Sequence, residues 1–99
     1  MNILTRESAL NILRAKKAYF AQKYGITALG IFGSLARNQS TEASDADIVV
    51  KMEKPDLFFL VHVKEDLENA YQKKVDIVRY REHMNAFLKQ RIDAEAIYV

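Results

Sequence analysis

Three short apolar runs constrain the fold of this chain more than any other feature of its sequence. Residues 26–32, 46–52 and 75–80 are rich in aliphatic side chains, and each run is bounded by polar residues. Runs of this length are typical of buried β-strands, whereas a membrane-spanning helix needs about 18 or more apolar residues in succession. The chain is therefore expected to build its core around a small β-sheet.

Two long amphipathic segments are predicted to be helices. Residues 4–24 repeat apolar side chains at three-to-four spacing, with Thr5 as a candidate cap and Gly25 as a stop signal. The second helix is predicted from Pro55 to about Gln72, because Pro suits the first helical turn. The residues expected to face the core are Ala9, Ile12, Leu13, Tyr19 and Phe20 in the first helix, and Leu57, Leu60, Val61, Leu67, Ala70 and Tyr71 in the second.

The remaining segments complete a small mixed sheet. Residues 35–38 can form about one helical turn, residues 84–91 predict a short last helix, and residues 96–99 can add an edge strand. The long helix between the second and third strands permits a parallel crossover, and the short link between the first two permits an antiparallel pair. The expected fold is one α+β domain over residues 1–99, with three to four strands and helices packed on them.

Composition removes several classes of function. The 99 residues contain no Cys, which excludes disulfides, thiol catalysis and zinc or iron–sulfur sites built from cysteine. Two His are too few for a zinc site built from histidine, and a net charge of +2 implies no general attraction to nucleic acid. Glu7 interrupts the segment where a signal peptide needs an apolar run, so a cytoplasmic protein is expected.

Two carboxylates at the start of the second strand are candidate metal ligands. Asp45 and Asp47 are two residues apart, so in a strand both side chains project from the same face. Neighbouring carboxylates repel unless a cation lies between them, and magnesium accepts one or two carboxylates together with phosphate oxygens and water. On its own, however, Asp-x-Asp more often marks a solvated strand end.

A glycine and a serine follow the first strand and favour phosphate binding. Gly33 lacks a Cβ and lets a phosphate approach the backbone, while Ser34 adds a hydroxyl donor at the start of a helical turn. The alternative is an ordinary glycine at a strand end followed by a capping serine.

A third carboxylate lies in the third apolar run. If the second and third strands are neighbours, a strand spacing of about 4.8 Å brings Asp76 within reach of the Asp45 and Asp47 site. Alternatively, Asp76 is a strand-end residue that pairs with Lys73 or Lys74. Three carboxylates holding metal against a triphosphate are what two-metal phosphoryl transfer requires.

These motifs in this order resemble a known family. Gly33-Ser34, ten residues and then Asp45-Ala46-Asp47 is similar to the signature of the DNA polymerase β-like nucleotidyltransferases. The fuller pattern, Gly-Ser-x-Ala-Arg with a later Ser-Asp-x-Asp, resembles the minimal nucleotidyltransferases, or MNT proteins. Ala46 departs from the Ile common between the two Asp in that family, which concerns packing more than catalysis.

The resemblance implies roles for six residues. These are Gly33, Ser34 and Arg37 for the nucleotide, and Asp45, Asp47 and Asp76 for magnesium and catalysis. Asp76 would be the third acid, which activates the acceptor hydroxyl. For Arg37, an exposed helix position without a ligand is the alternative.

The implied function is transfer of AMP from ATP, with magnesium, to a hydroxyl group. MNT proteins are typically the antitoxins of HEPN/MNT toxin–antitoxin modules, so a tyrosine of a HEPN partner is the expected acceptor. Phe58 and Phe59 cannot both be buried on one helix face, so an exposed ring is expected to mark a partner surface. Two alternatives remain: a binding module that neutralises its partner by contact alone, and transfer to a small molecule.

Overall fold

The computed structural model describes residues 3–99, which form four helices and four strands. In chain order these are α1 (Arg6–Tyr24), β1 (Ile26–Phe32), α2 (Gly33–Ala36), β2 (Ala46–Met52), α3 (Leu57–Tyr71), β3 (Val75–Arg79), α4 (Ala86–Glu95) and β4 (Ile97–Tyr98). The expected α+β class with a small mixed sheet is confirmed. Among these residues, no helix is both long and apolar enough to cross a membrane.

The sheet has the strand order β3-β2-β1-β4. As expected, β1 and β2 are antiparallel, and β2 and β3 are parallel neighbours because α3 provides the crossover between them. Phe32 at the end of β1 pairs with Asp47, and Asp47 pairs with Asp76 on β3. The end of β1 and the beginnings of β2 and β3 therefore meet at one edge of the sheet.

Helices cover both faces of the sheet. On one face, α1 and α3 pack in a cluster that includes Leu13, Ile48 and Leu67. On the other face, α4 places Ile92 against Val49 and Phe32. Since side chains alternate along a strand, Asp47 and Asp76 lie on the same face as α4.

The first helix begins two residues later than the predicted start at residue 4. Thr5 is its N-cap: its hydroxyl accepts the Ser8 N–H and its own N–H donates to the Ser8 hydroxyl, both at 3.1 Å. Gly25 ends the helix with a φ of 69°. Tyr19, predicted to face the core, is 46% exposed instead, because it lies at the edge of an aromatic group whose buried members are Phe20 and Tyr24.

The second long helix is shorter than predicted, and two of its expected core residues are exposed. Pro55 lies outside it, because Asp56 is the N-cap that accepts the N–H groups of Phe58 and Phe59. The centres of the Phe59 and Tyr24 rings are 5.2 Å apart, and this contact leaves other apolar side chains of α3 facing outward. The expected core positions Leu57 and Val61 are consequently exposed, whereas Leu67 and Tyr71 are buried as predicted, together with Val63.

The bounds of the last helix differ most from those predicted from the sequence. It covers Ala86–Glu95 rather than residues 84–91, because Asn85 caps the Leu88 N–H at 2.9 Å and Ile92 is buried against the sheet. The helix therefore extends four residues further and carries Glu95 to the sheet edge. The adjoining strands are also shorter than predicted: β3 ends at Arg79, and β4 covers only residues 97–98.

Tyr71→Phe should lower the free energy of unfolding by about 1 kcal/mol, the usual net contribution of one hydrogen bond. The Tyr71 hydroxyl donates to the Ala9 carbonyl at 3.0 Å and ties the end of α3 to α1. Burial raises the pKa of this phenol, consistent with a dry environment. Urea denaturation measures the change, with Tyr98→Phe, at a position that is 40% exposed, as control. Equal stability of the two variants would contradict this assignment.

Candidate active site

The candidate residues come together at one edge of the sheet. Gly33 directly follows β1, Asp45 and Asp47 lie at the beginning of β2, and Asp76 lies near the beginning of β3. The chain brings them together because β1 runs antiparallel to β2 while β2 and β3 run in the same direction. Asp47 stands at the centre, with Phe32 opposite it on one side and Asp76 on the other.

Glycine is required at position 33 for two reasons, the backbone conformation and the close approach of the Asp47 side chain. Its φ is 69°, a left-handed conformation that residues with a Cβ rarely adopt. A Cβ at this position would collide with the carboxylate of Asp47. The glycine therefore permits Asp47 to lie against the start of α2. This role is additional to the close approach of a phosphate that was inferred from the sequence.

The environment of Asp47 is electrostatically unfavourable for a carboxylate. Burial raises the pKa of Asp47, and the negative charges of Asp76 and, less strongly, Asp45 raise it further. Arg91 and Arg37 act in the opposite direction. Asp45 and Asp76 are themselves exposed, so only the central carboxylate is half-buried.

The donor set suits a hard cation. As the side chains stand, no three His, Cys, Asp or Glu residues converge on one point anywhere in the described part of the chain. The charges of Asp45 and Asp76 nevertheless both act on Asp47, and all three residues offer carboxylate oxygens. Oxygen donors of this kind fit magnesium, which keeps several waters and needs only one or two protein carboxylates.

Neither of the lysines considered as partners of Asp76 forms an ion pair with it in the described part of the chain. Lys73 donates to the Thr41 carbonyl at 3.1 Å, and the Lys74 carbonyl accepts the Ala46 N–H at 2.9 Å. Within residues 3–99, the ion pairs join Lys16 to Asp66 and Arg37 to Glu95, so neither lysine neutralises Asp76.

Two residues of α4 complete this edge, and the sequence did not single them out. Glu95 accepts the Gly33 N–H at 3.1 Å and the Arg37 guanidinium at 2.8 Å. Arg91, one helical turn earlier, lies 6.0 Å from the centre of the Phe32 ring, and its charge lowers the pKa of Asp47. The signal available in the sequence was the Arg-x-x-x-Glu spacing, which places both side chains on one helix face.

Comparison with known proteins identifies relatives across most of the chain. The family model described as polymerase beta, nucleotidyltransferase matches residues 15–99. The protein adenylyltransferase MntA of Thermococcus cleftensis is 32% identical over 100 residues, which cover 100% of both chains.

Solved structures share the fold. A chain in the structure of the tri-AMPylated Shewanella oneidensis HEPN toxin in complex with MNT antitoxin matches with a TM-score of 0.69 and 18% identity. The match covers 95% of this chain and 71% of that one. A toxin–antitoxin structure with AMP-PNP matches with a TM-score of 0.69 and 21% identity, over 96% and 72% of the two chains.

Proposed function

We propose, because this chain belongs to the polymerase beta nucleotidyltransferase family, that it transfers AMP from ATP to a hydroxyl group of a partner protein. The observation that carries the proposal is the register of the sheet, which sets Asp47 opposite Asp76 and beside Gly33. The name of the relative from Thermococcus cleftensis, a protein adenylyltransferase, supports AMP as the transferred group and a protein as the acceptor.

Gly33, Ser34 and Arg37 are proposed to bind the triphosphate. The Gly33 N–H and the Arg37 guanidinium both donate to carboxylate oxygens of Glu95, which supports an affinity of this place for anionic oxygens. The Ser34 side chain is half-buried beside them at the start of α2. A phosphate presents the same kind of acceptor, with more negative charge than a carboxylate.

Asp45, Asp47 and Asp76 are proposed to hold magnesium. When bound, magnesium would offset the charge of the carboxylates and of the triphosphate and would polarise the reacting phosphate. Asp47, as the central and half-buried carboxylate, is the residue whose ionised form gains most from a nearby cation.

Asp76 is proposed to accept the proton of the attacking hydroxyl. It is exposed on β3, which is the edge strand of the sheet, so a group from outside can approach it. The hydroxyl oxygen forms a bond to the α-phosphorus, the bond to the bridging oxygen breaks, and pyrophosphate leaves. Holding the hydroxyl in line with that leaving oxygen is the main contribution of the two proteins.

The partner is proposed to be a HEPN toxin, with a tyrosine as the acceptor and this chain as the antitoxin. The structure that pairs an AMPylated HEPN toxin with MNT antitoxin supports this assignment. Leu57 and Phe58 are 80% and 79% exposed at the beginning of α3, as suits a surface that contacts a protein. We place both proteins in the cytoplasm, where ATP and magnesium are abundant.

Incubation of the chain with its HEPN partner, ATP and magnesium should add about 329 Da per modified site, the mass of ATP minus that of the pyrophosphate that leaves. Intact-protein mass spectrometry measures the addition. EDTA in place of magnesium should remove it, as should the Asp45→Asn/Asp47→Asn double variant. If that variant inhibits the partner as well as the wild type does, and neither adds mass, contact alone is the mechanism and the proposed transfer is wrong.

A further inference from the structure

The carboxylate of Glu95 occupies the place assigned to the nucleotide phosphates. One of its oxygens accepts the Gly33 N–H at 3.1 Å, and the other accepts the Arg37 guanidinium at 2.8 Å. The Glu95 side chain is 23% exposed, against 43% for Arg37. One carboxylate therefore engages two of the three residues proposed to bind the triphosphate.

Apart from these two contacts, the surroundings of Glu95 disfavour the negative charge of its carboxylate. It is the last residue of α4, where the helix dipole favours a positive charge. Its partner Gly33 also has the Asp47 carboxylate against it, so a second negative charge lies close by. Charge-assisted hydrogen bonds to Gly33 and Arg37 are what hold the Glu95 side chain here.

We propose that Glu95 is an internal competitor of the triphosphate and thereby sets the affinity of the chain for ATP. A phosphate and the Glu95 carboxylate cannot use the same two donors at once, so Glu95 must rotate away when nucleotide binds. Its departure frees the Gly33 N–H and the Arg37 guanidinium together. This inference rests on the proposed function and adds a regulatory element to the same site.

Glu95→Gln tests the competition directly. The amide keeps the size of the side chain but removes its charge, so ATP and inorganic tripolyphosphate should both bind about tenfold more tightly than to the wild type. Isothermal titration calorimetry measures both ligands in the presence of magnesium. Asp93→Asn, which removes one charge from an exposed position of the same helix, is the matched control and should leave both affinities unchanged.

A second measurement follows the contact itself. In ¹⁵N–¹H spectra, the Gly33 amide proton should exchange with solvent faster in Glu95→Gln than in the wild type, since its acceptor is weakened. If Glu95→Gln does not fold, Glu95→Asp provides the same test: its shorter side chain keeps the charge, should lose the contact with Gly33 and should also bind tripolyphosphate more tightly.

The outcomes separate this inference from the proposed function. Unchanged or weaker binding of tripolyphosphate by Glu95→Gln would overturn the inference, because Glu95 would then support the nucleotide loop rather than compete with phosphate. Tighter binding combined with no AMP transfer to any partner would uphold the inference and count against the proposed transfer. Absence of ATP and tripolyphosphate binding in every variant would overturn both.

Discussion

Asp76→Asn should slow AMP transfer by about 100-fold to 1,000-fold, the range expected when a general base is removed. Asn retains the shape of the side chain but cannot accept the proton of the attacking hydroxyl. ATP should still bind within about threefold of the wild-type affinity, because Gly33, Ser34 and Arg37 would remain to hold the triphosphate and Asp45 and Asp47 to hold the magnesium. Single-turnover mass spectrometry with saturating ATP measures the transfer, and calorimetry measures the binding.

The stability of Asp76→Asn distinguishes a catalytic role from a structural one. The negative charge of Asp76 raises the pKa of Asp47, so removal of that charge should leave the melting temperature unchanged or increase it. A raised pKa in the folded state means that ionised Asp47 opposes folding at neutral pH, which fixes the sign of this effect. Glu65→Gln, at an exposed position of α3, is the matched control.

Three results would contradict the assignment of Asp76. Transfer at the wild-type rate by Asp76→Asn would show that another group accepts the proton. An equal loss of ATP binding and transfer would show that Asp76 only helps to hold the triphosphate and its metal and does not act on the attacking hydroxyl. A lower melting temperature would show that its carboxylate stabilises the fold.

The first two strands could be predicted from the sequence because both of their faces are buried. Helices cover both faces of the sheet, so residues 26–32 and 46–52 had to be apolar almost throughout, and both strands were predicted with correct bounds. The length of the intervening helix permitted the parallel pairing of β2 with β3 that the structure shows. Given that pairing, the sequence predicted that Asp76 would lie within reach of Asp47.

The exposure of Leu57 and Val61 could not be predicted from the residues of α3 alone. Its first five residues, from Leu57 to Val61, are all apolar, so their periodicity does not indicate which side faces the core. The packing of Phe59 on Tyr24 decides which of these five residues face the core, and Tyr24 lies on a different helix. The expectation of one exposed ring was nevertheless confirmed, because Phe58 is 79% exposed.

Glu95 was missed because no local pattern connects it with the nucleotide loop. It is 62 residues from Gly33 in the sequence, and the predicted last helix ended before it. No Gly or Pro stands between Arg91 and Glu95 to mark a stop, and the burial of Ile92 against the sheet extends the helix. A charge at a helix end becomes informative only once its tertiary partner is known.

Gly33→Ala should weaken ATP binding by about 100-fold, a loss of binding free energy comparable to that of roughly two charge-assisted hydrogen bonds. The new Cβ would collide with the Asp47 carboxylate and displace it from the start of α2. The same substitution also strains a left-handed backbone, by about 1–2 kcal/mol. Calorimetry with ATP and magnesium measures the first effect, and urea denaturation measures the second.

Gly25→Ala is the control that separates these two effects. Gly25 has the same φ of 69° as Gly33, but a Cβ there would meet nothing within 4 Å. Both variants should therefore lose a similar part of their stability to backbone strain, whereas only Gly33→Ala should lose ATP binding. Equal ATP binding by the two variants would show that Asp47 can be displaced without weakening ATP binding. The contact between Asp47 and Gly33 would then not be needed for the nucleotide site, contrary to our proposal.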